Sequence, residues 1–149
     1  MADQSEQVIQ KPVISGDNKF PLKTVQIKSE LIDSRGNQRK VDVVVTPFRD
    51  RIVIVVSEKG KLGTWIEAFS DGEVVDPTIQ DGAEASYTVR TLLGRRDEPL
   101  LDVFARQLVQ RLHVSQPGKN LLLNISLRID SDRSLIKQLL VLFQQNSLL

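Results

Sequence analysis

Hydrophobic residues alternate with polar ones through the first half of the chain and recur every three or four positions through much of the second. In residues 24–32, Val25 and Ile27 alternate with polar positions, and Leu31 and Ile32 close the run. Ser34-Arg35-Gly36-Asn37 supplies turn residues, and Val41, Val43 and Val45 alternate again within residues 40–48. Period-two patterning on both sides of such a turn predicts a β-hairpin, and Pro47 marks a strand end or an edge. Ile52-Val53-Ile54-Val55-Val56 is β-branched or aliphatic throughout and does not alternate. A run of that kind predicts a central strand covered on both faces. Glu58-Lys59-Gly60-Lys61 has the composition of a tight turn, and residues 62–69 form a fourth strand carrying Trp65. Four strands joined by short polar links predict an antiparallel meander.

The pattern then breaks. Residues 70–86 contain Asp71, Glu73, Asp76, Asp81 and Glu84 with no Lys or Arg, a charge of −5, and Gly72, Pro77 and Gly82 interrupt any regular element. The segment is expected to be a long loop of the kind that often carries function. Residues 87–93 resume as a fifth strand. From Pro99 the period becomes helical, with Leu100 or Leu101, Phe104, Leu108 and Leu112 on one face. Proline suits the first turn because its missing N–H has no intrahelical partner there, and Asp97 and Glu98 lie where the helix dipole favours acids. Pro117-Gly118 ends the helix. Residues 120–129 alternate as a sixth strand, and Asp130-Ser131-Asp132 offers caps for a last helix with Leu135, Ile136, Leu139, Leu140 and Phe143 on its apolar face. The fold expected is α+β: one domain over residues 20–149, a mostly antiparallel six-stranded sheet (a β-meander) and two helices in the C-terminal half, in the order βββββαβα. Residues 1–19, polar apart from a few aliphatic positions, are expected to be a disordered tail.

Composition narrows the function classes. The 149 residues carry 26% charged and 40% hydrophobic residues and a net charge of +1, an ordinary balance for a globular chain with no net field to draw nucleic acid or a membrane surface. Aromatics are 5%, with single copies of Trp65 and Tyr87, too few for a base-stacking platform. Cysteine is absent, which suits a reducing compartment. Residues 1–10 contain no apolar stretch of the secretory kind, and no run approaches membrane-spanning length. A cytoplasmic location, with the nucleus also open, is the expectation.

Candidate chemistry is sparse. Gly60-Lys61-Leu62-Gly63-Thr64 resembles a phosphate loop only superficially, since that motif precedes a helix and this segment lies between strands; a hairpin turn is the expected reading. His113, the single histidine, sits at a helix end with no acid–base or metal-ligand partner at useful spacing. Arg35, Arg39, Lys40, Arg49 and Arg51 make a basic cluster of the kind that keeps a sheet edge soluble. Asn124-Ile125-Ser126 fits a glycosylation sequon but falls inside a predicted strand. No catalytic residue, cofactor or metal is expected. The segregation of acidic and basic residues suits orientation of a protein partner, and Leu101, Leu108 and Leu112 exceed what one helix stripe needs, which suggests a dimer face unless core packing alone takes them up.

Two segments carry a resemblance. Ile52-Val53-Ile54-Val55-Val56-Ser57 with Gly60-Lys61-Leu62-Gly63-Thr64, and Leu92-Leu93-Gly94 with Asp97-Glu98-Pro99-Leu100 and Val103-Phe104-Ala105, resemble the central hairpin and the strand-to-helix junction of the proteasome assembly chaperone 3 family. The doubled arginine, Arg95-Arg96, and the long N-terminal tail depart from that pattern. The resemblance implies a non-enzymatic chaperone of the 20S proteasome. It would pair with a proteasome assembly chaperone 4-like subunit, or with itself when alone, and bind α subunits to promote α-ring formation before dissociating. On that reading Asp71, Glu73, Asp76, Asp81 and Glu84, with Arg95 and Arg96, form the partner-binding set, the acids facing a basic α-subunit surface. Two other classes use the same residues: a generic α+β interaction adaptor, and a small nucleotide-binding enzyme that would need residues 60–64 to hold phosphate.

Overall fold

The computed structural model describes residues 23–71 and 86–149 and the backbone of Val13–Ser15. Its elements are β1 (Val13–Ser15), β2 (Thr24–Ile32), β3 (Gln38–Pro47), β4 (Arg51–Glu58), β5 (Thr64–Ser70), β6 (Tyr87–Leu93), α1 (Pro99–Ser115), β7 (Asn120–Ile125) and α2 (Arg133–Gln145). From β2 onward this is the expected order of six strands and two helices. Val13–Ser15, within the expected tail, pairs antiparallel with Thr24 to Gln26; the rest of residues 1–19 lies outside the described residues.

The strands form one sheet in the order β1-β2-β3-β4-β7-β5-β6. The expected hairpin of β2 and β3 is present, with Gly36 at φ +82° in its turn, and β4 follows antiparallel. The meander stops there. Instead of pairing with β5, β4 pairs in parallel with β7, and β5 lies on the far side of β7. A parallel pair needs a long crossover, which β5, β6 and α1 provide. Sequence adjacency therefore misplaced β5. Leu121, Leu123 and Ile125 of β7 are 0–3% exposed, and only an interior slot gives so apolar a strand two pairing neighbours and cover from a helix.

Both helices lie on one face of the sheet. Phe104, Leu108 and Leu112 of α1 and Leu135, Leu139 and Phe143 of α2 join Ile27, Val43, Ile54, Leu123 and Ile66 in a single core. Pro99 occupies the first turn of α1, as predicted, and Asp132 caps α2 by accepting from Ser134 N at 2.9 Å. The same carboxylate accepts from Ser34 N at 2.7 Å, and Gln138 both donates to Ile32 O and accepts from Ile32 N. These bonds fasten α2 to the end of the first hairpin. Leu101, Leu108 and Leu112, expected at a dimer face, are core residues at 5% exposure or less. The breadth of the α1 apolar stripe is taken up by the sheet beneath it and by α2 beside it, so these leucines offer no surface to a partner.

Candidate interaction surface

Side chains alternate between sheet faces, so the residues between the buried positions point away from the helices. Register places Val44 beside Val55, Val55 beside Asn124, and Asn124 beside Trp65; one row along, Val53 lies beside Leu122 and Leu122 beside Glu67. Val44, Val53, Val55, Leu122 and Trp65 are half-buried, and no described element covers them. Exposed Leu93 extends the row beyond Trp65. An open antiparallel face ordinarily carries polar residues; this one sets Val44, Val53, Val55, Leu122 and Trp65 side by side across four strands. Strands ~4.8 Å apart, with ~3.3 Å per residue, make the patch on the order of 250 Å² in plan, and apolar patches on a sheet face are often functional. Here the expectation for β4 is met in half. The strand is central, as its unbroken apolar run predicted, but the described residues cover only one of its faces.

Polar contacts frame the patch. Glu67 and Arg90 form an ion pair at 2.6 Å across β5 and β6, and the Arg90 guanidinium lies 5.7 Å from the Phe69 ring centroid. Asn124 is fully buried; its Oδ1 accepts from Gly63 N at 2.9 Å and its Nδ2 donates to Gly63 O. That pair pins residues 59–63, which carry the chain from β4 past the end of β7 to β5. Lys59 and Gly60 turn the chain with φ of +59° and +67°, so the expected tight turn exists but opens no hairpin. A methyl on Gly63 would collide with the Ile125 carbonyl and Ser126 Cα, and one on Gly94 (φ +108°) would collide with Thr64. Thr64 Oγ1 in turn accepts from Arg95 N at 3.1 Å. Gly63 and Gly94 thus serve close backbone packing and Gly60 the turn, and residues 60–64 lead into a strand, where a phosphate loop has a helix.

Known proteins resemble this chain in sequence and in fold. The family model described as proteasome assembly chaperone 3 matches residues 54–146. Proteasome assembly chaperone 3 of Mus musculus is 35% identical over 102 residues, covering 67% of this chain and 72% of the relative, and that of Homo sapiens is 34% identical over the same length. The chain belongs to the proteasome assembly chaperone 3 family. The family match runs from within β4 to α2 and so takes in Gly63, Gly94, Glu98 and Asn124. Among solved structures, a chain of the "Crystal Structure of a Novel Chaperone Complex for Yeast 20S Proteasome Assembly" superposes with a TM-score of 0.52 at 20% identity, covering 69% of this chain and 79% of that one. At that identity the likeness is one of fold.

Of the residues expected at the partner site, the described ones are dispersed. Asp71 is exposed, but its carboxylate accepts from the hydroxyls of Thr88 and Ser86, and its N–H donates to Ser86 O. The Thr88 hydrogen bond, and then that of Ser86, hold its pKa below the ordinary aspartate value. Asp71 therefore closes the neck of the acidic segment. Glu73, Asp76, Asp81 and Glu84 lie outside the described residues. Arg95 and Arg96 are exposed at the opposite end of the sheet, Arg95 pairing with Asp97 at 3.3 Å and Asp130 at 3.8 Å. His113 meets the edge of the Tyr87 ring, centroids 6.0 Å apart. Among the described residues no three His, Cys, Asp or Glu side chains converge as a metal site. Sequence reasoning passed over Val44, Val53, Val55, Leu122 and Trp65. Their signal was the missing alternation in β4, which asks for cover on two sides.

Proposed function

We propose that this chain is a non-enzymatic assembly chaperone of the 20S proteasome that works as half of a dimer. Its partner is a subunit of like fold, or a second copy when that subunit is lacking, and the pair forms through the open sheet face. The pair binds α subunits in the cytoplasm or nucleus, promotes α-ring formation and dissociates before the particle matures. Family membership and the fold shared with a yeast 20S assembly chaperone complex support the proteasome as the target. One observation carries the pairing: an apolar patch spans β3, β4, β7 and β5 with no described element over it. At on the order of 250 Å² it supplies about a third of one side of a standard interface, so polar rim residues must join it. A core of that kind with a charged rim suits a contact that has to be specific and later released.

Val55→Lys tests this reading by placing an ammonium at the centre of the patch. Sedimentation of the chain with a co-expressed partner should show loss of the dimer, with circular dichroism and thermal midpoint nearly unchanged because Val55 lies outside the core. In cells the variant should reduce α-ring intermediates on native gels. A dimer that survives the substitution would place the pairing elsewhere.

A further inference from the structure

A second feature lies away from the open face, at the end of the sheet where β4 and β7 finish. The two strands run parallel, but the chain leaves them in opposite directions. From β4, residues 59–63 cross toward β5; from β7, residues 126–132 cross toward α2. Chain divergence at the carboxyl ends of parallel strands opens a crevice, the location where such sheets bind ligands. The crevice here has a volume of about 540 Å³. Its floor is apolar, with Leu101 and Leu127 at 5% and 3% exposure, and Leu62 stands at its lip, 67% exposed. Exposed Lys59, Lys61, Arg95 and Arg128 line its rim. Lys59 and Lys61 form no ion pair among the described residues, and the two arginines share Asp130 at 3.8 and 4.0 Å.

Two further observations define the occupant. The segments that build this end (33–40, 58–63, 94–98 and 126–133) hold nine Lys or Arg against six Asp or Glu. Several of those acids are already committed: Glu58 to Arg39, Asp132 to the Ser34 and Ser134 amides, and Glu98 Oε2 to Ser131 N. In addition, Glu98 lines the crevice at 8% exposure, and its Oε1 is buried with no hydrogen-bond donor. A buried acceptor left unpaired is costly, and an N–H entering the crevice would meet it. An apolar floor, a cationic rim and an unmet acceptor together match one chemistry.

We infer that this crevice docks an acidic segment of a protein partner. An apolar side chain of the segment sits against Leu101 and Leu127, its carboxylates meet Lys59, Lys61 and Arg128, and one backbone N–H faces Glu98. The site opens at the end of the sheet rather than on its open face; we assign its partner to a component other than the paired subunit, and the inference does not depend on that pairing. The experiment is an NMR titration of the full chain with three acetylated nonapeptides: a central leucine flanked by glutamates, the same peptide with lysines, and the glutamate peptide with alanine at its centre. The first should shift the amides of residues 59–64, 95 and 126–131, and should bind at least tenfold more tightly than either control. Lys61→Glu with Arg128→Glu, both exposed, should abolish those shifts without altering the remaining spectrum. Equal binding of the alanine peptide or of inorganic pyrophosphate would reduce the crevice to a general anion patch and overturn the inference. Absence of shifts there, or self-association lost in the double variant, would overturn it too.

Discussion

The junction of β4, β5 and β7 depends on three small groups: the missing side chain of Gly63, the missing side chain of Gly94 and the amide of Asn124. Gly63→Ala places a methyl against backbone at the end of β7, where neither neighbour is a flexible side-chain tip. Overpacking of that kind costs ~1–3 kcal/mol, and urea unfolding should show a lower midpoint with an unchanged slope. Charge is used sparingly nearby. Arg39 makes a two-point contact with Glu58 at 2.7 Å for each bond, both side chains less than a fifth exposed. The hydrogen bond from Arg39 is the main reason the Glu58 pKa falls below its ordinary value of 4.5. A carboxylate whose folded pKa is depressed adds stability above its unfolded pKa, and loses it as pH falls through the folded value. Glu58→Gln should therefore be less stable than the parent by about 1 kcal/mol at pH 7. The gap should close as pH falls below about 4, measurable by urea titration at several pH values.

Among the elements, α2 is the one held by the most identifiable side-chain bonds. Asp132 caps it and reaches back to the Ser34 amide, while Gln138 clasps the end of β2. Hydrogen bonds from Ser134 and Ser34 hold the Asp132 carboxyl well below the usual range. Asp132→Ala should destabilise the fold by about 1–2 kcal/mol, and amide exchange should accelerate first in the opening turn of α2 and in the 33–37 turn. Asp132→Asn keeps a capping oxygen and should recover most of the loss. For α1, the element-level lesson is different. Its leucines suggested a surface, yet they are consumed by the sheet and α2; the Arg111 side chain donates to Leu140 O at 3.0 Å and ties the helices together.

At the scale of the molecule, the described residues close one sheet face with the helices and leave the other without cover, and the acidic segment and the basic crevice attach at opposite ends of the sheet. The acidic segment leaves from the ends of β5 and β6 near Ser70 and Tyr87, while the basic crevice lies at the other end of the same strands. A chain of net charge +1 can thus steer partners of opposite sign to separate ends. Reversal of Glu73, Asp76, Asp81 and Glu84 to lysine, leaving Asp71 to close the neck, should lower α-subunit capture roughly tenfold at low salt and flatten its salt dependence. Surface-plasmon measurements between about 50 and 300 mM salt read both effects across the screening range. Unchanged capture would make residues 72–85 a connector only.

The sequence by itself determined the kind and order of the elements from β2 onward, because period-two and period-3.6 patterning, Pro99 and the Gly36 and Gly118 breaks act locally. It also exposed the family through the Gly63 and Gly94 segments, whose residues answer to backbone contacts. It could not order the strands: pairing of β4 with β7 joins residues some 70 positions apart, and an apolar strand carries no mark of which neighbour it will take. Nor could it separate a helix stripe that meets its own sheet from one that meets a partner, since Leu101, Leu108 and Leu112 are equally apolar in either setting. Only tertiary structure decided both. With α1 and α2 on the same face, those leucines were spent on the core, and Val44, Val53, Val55, Leu122 and Trp65 were left for whatever closes the other side.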